Sequence, residues 1–263
     1  MTDETLATLR AICAEVGFDL RVSAPELLAR LELLAERSQT VTDCERMVGM
    51  ARGIFSRRAG SAAAFTDSER RVVVLGCVLS DIGKTGPARA GREGQRLIVD
   101  MFAVEGVRDD AQSVAQFFDA YFPSDADDRR RRFAALGLDA GIALRKFWNL
   151  HSSWTLEILE HCGVPREAIA GAATHHLLED VNPGAIVRPD ESFARPFGDN
   201  VAFDRAEKLV IVLDKYDALR RRGRRSHAQA IAWLRDRIHD NARFHDDAEF
   251  TSLIDDLDAT AAA

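Results

Sequence analysis

The sequence has little cysteine, no long apolar run and no basic N-terminus. The four cysteines form no CxxC pair, which argues against a zinc knuckle and for reduced thiols in a cytosol; they are Cys13, Cys44, Cys77 and Cys162. The longest apolar run, residues 72–79, is too short to span a bilayer, and the first four residues are acidic where a signal peptide is basic. We therefore expect a cytoplasmic protein without membrane contact.

An excess of positive charge is also absent. The 263 residues carry a formal net charge of -7, so the molecule as a whole would repel nucleic acid, and we do not expect it as a partner. Two strong basic runs occur, at residues 129–132 and 220–225. Each is interpreted as a solvated helix face or as a last turn that complements the helix dipole, although a local run can still hold a phosphate.

No alternating strand pattern is present, whereas helix signals are frequent. Four pairs have the spacing of a capping box, in which two side chains satisfy each other's backbone donors: Ser23 with Glu26, Thr42 with Glu45, Thr66 with Glu69, and Ser226 with Gln229. The apolar run at 72–79 follows the third pair and is interpreted as a core helix rather than a buried strand.

Apolar residues at helical spacing predict an N-terminal helical hairpin over residues 1–40. The same spacing predicts further helices near 91–105, 110–121, 138–161, 165–178, 203–222 and 246–257. Proline and glycine predict a loop over 182–200. We expect an all-α fold, with the hairpin followed by a helical domain over 41–263.

All seven histidines lie in the second half of the chain, and two of them are adjacent. His175 and His176 are placed near the end of a predicted helix that Pro165 opens. Adjacent helical residues point ~100° apart, so both rings cannot be buried in one apolar face. Because Glu179 and Asp180 follow, coordination of a metal is one interpretation and burial of satisfied core histidines is the other.

Three further sequence segments carry residues of the same chemical types as the histidine doublet and its neighbouring acids. Residues 80–84 read Ser-Asp-Ile-Gly-Lys after an apolar helix, His151 begins a helical segment ending in Ile-Leu, and residues 214–219 read Asp-Lys-Tyr-Asp-Ala-Leu. The order Asp81, His151, His175-His176, Asp214 on successive predicted helices resembles the HD superfamily of metal-dependent phosphohydrolases, and within it the HD-GYP branch. The similarity covers roughly residues 42 to 235.

The resemblance implies an HD-type helical bundle with one or two divalent ions, which could be Fe, Mn, Ni, Mg or Zn. It implies that Asp81 bridges two metals and takes part in catalysis. It also implies that Lys84 binds a substrate phosphate or the nucleophilic water. The implied further ligands are His151, His175, His176 and Asp214.

Several positions depart from the family pattern. Ser80 occupies the place of the histidine that names the superfamily, and a hydroxyl is a poorer metal ligand than imidazole. Asp43 aligns with an upstream histidine and is either a ligand or an acid stabilised by the helix dipole. No Gly-Tyr-Pro follows His176. The interval between Asp81 and His151 is long, and is either a substrate lid or a plain helical insertion.

Two residue roles also have a second interpretation. Lys84 would complement a helix dipole even without a phosphate, and Asp214 could belong to a surface ion-pair cluster with Lys215 and Asp217. We expect metal-dependent hydrolysis of a phosphorylated small molecule or a (cyclic) nucleotide. The alternatives are a degenerate HD-like sensing or interaction module, and an HD-type di-iron oxygenase. Metal-dependent hydrolysis requires that the side chains of the five predicted ligands converge.

Overall fold

The structure is a computed structural model that describes residues 2–107, 111–179, 204–241, 244–245 and 247–261. Over these residues it contains thirteen α-helices, two short 3-10 helices, one isolated β-bridge and no strand, which confirms the all-α prediction. The predicted loop at 182–200 and Asp180 lie outside the described residues. No helix of the described chain is both long enough and apolar enough to cross a membrane.

The α-helices are α1 (Thr2–Glu15), α2 (Leu20–Ser23), α3 (Pro25–Arg37), α4 (Thr40–Arg58), α5 (Asp67–Leu79), α6 (Arg92–Phe102), α7 (Val114–Tyr121), α8 (Ala126–Ala135), α9 (Leu144–Leu159), α10 (Arg166–Ala173), α11 (Arg205–Arg221), α12 (His227–Asp240) and α13 (Ala248–Ala261). The 3-10 helices are Ile82–Thr85 and Leu177–Glu179.

Two of the four predicted capping boxes form. Thr66 with Glu69 starts α5, and Ser226 with Gln229 starts α12. An unpredicted box, formed by Ser113 with Gln116, starts α7.

The other two predicted boxes were wrong. Helix α3 begins at Pro25 without a side-chain cap, because the fixed φ and missing N–H of proline suit a first turn. Helix α4 begins two residues before Thr42, which brings the buried Val41 into the helix and onto the core.

The core is built around α5. Val73, Leu75 and Leu79 are fully buried, and α4, α10 and α11 pack around the helix. A helix surrounded by others is apolar on every side, which explains why the run at 72–79 lacked a polar face. The N-terminal helices join the same cluster through Leu9 and Leu27, so the predicted hairpin packs onto the bundle.

The long interval between Asp81 and His151 forms helices α6 to α8. Phe117, Phe133 and Phe147 are fully buried there in a second hydrophobic cluster, which gives this segment a core of its own. The sequence did not predict α8, because its Asp- and Arg-rich segment has almost no apolar periodicity. The helix predicted at 138–161 begins only at Leu144.

Candidate metal centre

Asp81 lies in the turn that leaves the central helix α5. Asp81 and Lys84 are both 6 % exposed, and the Lys84 Nζ lies 2.5 Å from the Asp81 Oδ2. Burial alone would raise the pKa of Asp81, but the charge of Lys84 holds it below its usual value. Asp81 is therefore an anion, oriented through one oxygen.

The turn is fixed against α9. The Thr155 hydroxyl accepts from the Gly83 amide at 3.1 Å and donates to the Ser80 carbonyl at 3.0 Å. A Cβ on Gly83 would lie 1.9 Å from the His151 carbonyl oxygen, so only glycine allows this approach. The same contact that packs the turn therefore brings Asp81 beside His151.

Three imidazoles converge on Asp81. His151 is on α9, and His175 and His176 lie in the turn that follows α10; one ring nitrogen of each lies within 4.8 Å of the others. The Nε2 atoms of His151 and His175 are 3.0 Å apart. They lie 3.5 and 3.7 Å from the Asp81 Oδ1.

The hydrogen bonds of the other ring nitrogens assign the tautomers. The Nδ1 atoms of His151 and His175 lie 2.5 Å from the carbonyl oxygens of Trp148 and Ala172. Because a carbonyl only accepts, each Nδ1 carries the hydrogen, and a neutral ring then has a lone pair on Nε2. Burial, followed by the charges of His176 and His175, holds the pKa of His151 well below its usual value.

The two Nε2 atoms face each other at 3.0 Å beside a carboxylate. When both rings are neutral, both atoms carry lone pairs, an arrangement that a cation would stabilise. Two donors ~2.1 Å from one ion lie ~3.0–3.7 Å apart when they subtend ~90–125° at it. The three observed distances of 3.0, 3.5 and 3.7 Å fall in this range. A backbone carbonyl that accepts from Nδ1 is also the usual outer partner of a metal-ligating histidine. The residues fit a divalent ion.

Asp214 reaches the same place from α11. It lines a small pocket together with Asp81, Lys84 and His176. The Asp214 Oδ2 is buried and has no hydrogen-bond partner among the described residues. Burial, together with the charge of Asp81, raises the pKa of Asp214. The structure thus groups the three histidines, places two of them beside Asp81, and places Asp214 in a pocket with Asp81 and His176. The role of the five residues as ligands stays a prediction.

Asp43 lines this pocket as well, but its oxygens already have partners. Oδ1 accepts from Arg46 at 2.5 Å, and Oδ2 accepts from Arg221. Both arginines also bind Asp217, which closes a ring of two carboxylates and two guanidinium groups. Asp43 would have to exchange an arginine for a metal ion, so its ligand role stays a prediction.

Ser80 is placed differently. It is fully buried, and its hydroxyl donates to the Cys77 carbonyl of its own helix at 3.3 Å. Its side chain is therefore held against α5 rather than beside the histidine nitrogens.

The basic run at 220–225 contributes residues that the sequence did not assign to the site. Arg221 closes the ionic ring, so it is not part of a purely solvated face, and Arg222 lines the pocket. Within the described chain, no carboxylate forms an ion pair with Arg222. Asp217 and Lys215 are buried, so this segment is not a surface ion-pair cluster. The only signal for these roles was that the run follows Asp217 on the same helix.

The sequence was also compared with known proteins. No family model, no curated protein and no solved structure matches the chain.

Proposed function

We propose that the chain is a metal-dependent hydrolase with a divergent HD-type site, acting on a phosphate ester of a small molecule or nucleotide. The observation that carries the proposal is the pair of histidine Nε2 atoms that lie 3.0 Å apart beside Asp81. A pocket opens at the same place, and its lining includes Lys84, Arg221 and Arg222 beside four aspartates.

The donor set consists of three imidazole nitrogens and two carboxylates. His151, His175 and His176, with Asp81 and Asp214, would hold the ion, and mixed nitrogen and oxygen donors suit Fe, Mn, Ni or Zn better than Mg. A divalent ion supplies positive charge against phosphate oxygens and activates water at neutral pH. Asp81 is kept ionised and oriented for this task by Lys84.

The phosphate contact assigned to Lys84 moves to Arg222 in this proposal. Lys84 is buried and paired with Asp81, so its charge is already neutralised. Arg222 lines the pocket without a carboxylate partner in the described residues, and a guanidinium can bind two phosphate oxygens at once.

Metal titration of protein purified without a chelating tag tests the first step. We expect the wild type to bind Mn²⁺, Fe²⁺ or Zn²⁺ in calorimetry, and His175→Ala to weaken the affinity at least ~10–100-fold, because even outer-shell changes have effects of that size. The exposed His161 provides a matched control, and His161→Ala should leave the affinity unchanged.

Turnover of model substrates tests whether the metal-loaded protein is a hydrolase. The loaded protein should hydrolyse bis(p-nitrophenyl) phosphate or p-nitrophenyl phosphate, and Arg222→Ala should raise KM without lowering metal affinity. Metal binding without turnover across a nucleotide panel would instead favour a non-catalytic sensing module, which the arginine partners of Asp43 already favour. Oxygen consumption by the iron-loaded protein would favour the oxygenase alternative.

A further inference from the structure

Helix α3 reaches the Asp81 turn through one buried side chain. The Arg30 Nη1 donates to the Thr85 Oγ1 at 2.6 Å, and its Nη2 donates to the carbonyls of Pro87 and Ala88 at 3.3 and 2.8 Å. Arg30 is only 5 % exposed. One guanidinium thus binds the segment that continues directly from Lys84.

A buried guanidinium without a counter-ion is costly. No carboxylate in the described part of the chain lies within ion-pair distance of Arg30, and burial lowers the pKa of this arginine. Desolvation of a charged group is offset only by good hydrogen bonds. Among the described residues, all hydrogen-bond partners of Arg30 belong to one turn, so the buried guanidinium holds that turn.

The turn is therefore held from two sides. On one side, the Gly83 amide donates to Thr155 of α9. On the other side, Arg30 binds Thr85, whose hydroxyl donates to the Ile82 carbonyl at 2.6 Å. Lys84 lies between these two anchors.

We propose that Arg30 is a positioning residue that fixes Lys84 against Asp81, and that the N-terminal helices are consequently an integral part of the centre. Its importance for catalysis rests on the proposed function. The positioning itself does not, because it concerns only the geometry of the turn.

Reactivity of the lysines toward an amine acetylating reagent, followed residue by residue with mass spectrometry, tests the proposal. Lys84 and Lys208 are a matched pair, because both are nearly buried and both are ion-paired, Lys208 with Asp247 at 2.7 Å. In Arg30→Ala we expect acetylation of Lys84 to accelerate about tenfold or more, since bonds to a charged group are lost, while Lys208 is unchanged.

Two further variants separate this effect from general loosening. Thr85→Val removes only the hydroxyl that Arg30 binds, and should accelerate Lys84 in the same way if Arg30→Ala fails to fold. Arg92→Ala removes another bond to the same helix, to the Ala29 carbonyl at 2.7 Å, and should leave Lys84 protected. The proposal would be overturned if Lys84 and Lys208 accelerated equally. It would also be overturned if Lys84 stayed protected in both Arg30→Ala and Thr85→Val.

Metal titration of the same variants distinguishes the two proposals. We expect Arg30→Ala to bind Mn²⁺ about tenfold more weakly or worse, because Asp81 loses its orientation. If the wild type binds no metal but Lys84 responds as expected, the proposed function fails and the positioning role stands. If the wild type binds metal and Lys84 stays protected in both site variants, the positioning role fails alone.

Discussion

Ser80 is a buried position at the end of α5, next to Asp81. It is fully buried and bonded to its own helix, so a larger side chain has no space there. We predict that Ser80→His lowers stability by ~1–3 kcal/mol through overpacking and leaves metal stoichiometry unchanged.

Melting temperature and metal content, measured together, check this prediction. Ser80→Ala is the matched control, and it should cost only about 0.5–1.5 kcal/mol for one lost hydrogen bond. A rise in bound metal with retained melting temperature would show that position 80 still belongs to the metal site.

The site residues differ in how far the sequence could identify them. Asp81 and the histidine doublet belong to short motifs, and the resemblance of the order of these motifs to the HD superfamily predicted their grouping. Arg30 and Arg222 could not be found in this way, because a side chain acquires its partner only when the chain folds. The bond from Arg30 to Thr85 spans 55 residues, and no local pattern contains it.

At the scale of elements, the contact between the Asp81 turn and α9 is the tightest in the site. A Cβ on Gly83 would lie 1.9 Å from the His151 carbonyl oxygen and 2.7 Å from the Thr155 amide nitrogen, and both of these atoms belong to the backbone of α9. We predict that Gly83→Ala separates the turn from α9, lowering stability by ~1–3 kcal/mol or more and weakening metal binding.

Chemical denaturation and metal titration of Gly83→Ala provide the measurement. Gly49 is the control, because it lies in α4 with nothing within 4 Å of an added Cβ. Gly49→Ala should stabilise the protein by roughly 0.5–1 kcal/mol through helix propensity. A Gly83→Ala variant as stable as the wild type would show that α9 can move away without cost.

The elements themselves were predictable where packing and local chemistry agree. Helices α5 and α12 have both apolar residues and working capping boxes. Helix α8 was missed because ion pairs stabilise it: Arg129 binds Asp125 at 2.9 Å and stacks on Phe122 at 3.8 Å. Such contacts involve polar and charged side chains, and they leave no apolar period in the sequence.

At the scale of the whole molecule, α11 connects the site to the stability of the fold. This helix carries Asp214 in the pocket and Glu207 in its first turn. Glu207 is 3 % exposed, and its Oε2 has no hydrogen-bond partner in the part of the chain that the structure describes. Burial raises the pKa of Glu207 from 4.5 to about 7, and the charges of Asp204 and Glu167 add to the increase.

This shift makes global stability depend on pH. A carboxyl with a raised pKa in the folded state stabilises the fold fully only below its unfolded pKa, and this contribution is lost as pH rises toward about 7. We predict that Glu207→Gln, which cannot ionise, is more stable than the wild type by about 1–3 kcal/mol at pH 8, with the difference shrinking toward pH 5.

Urea denaturation of both proteins at pH 5, 6, 7 and 8 measures that difference directly. Taking the difference removes the contribution of other groups that titrate in the same range, the histidines included. Glu160→Gln is the control, because Glu160 is exposed and its loss should change stability by less than about 0.5 kcal/mol. A difference between the wild type and Glu207→Gln that does not vary with pH would mean that Glu207 is already ionised in the folded protein, and that α11 tolerates a buried negative charge within the core that positions Asp214.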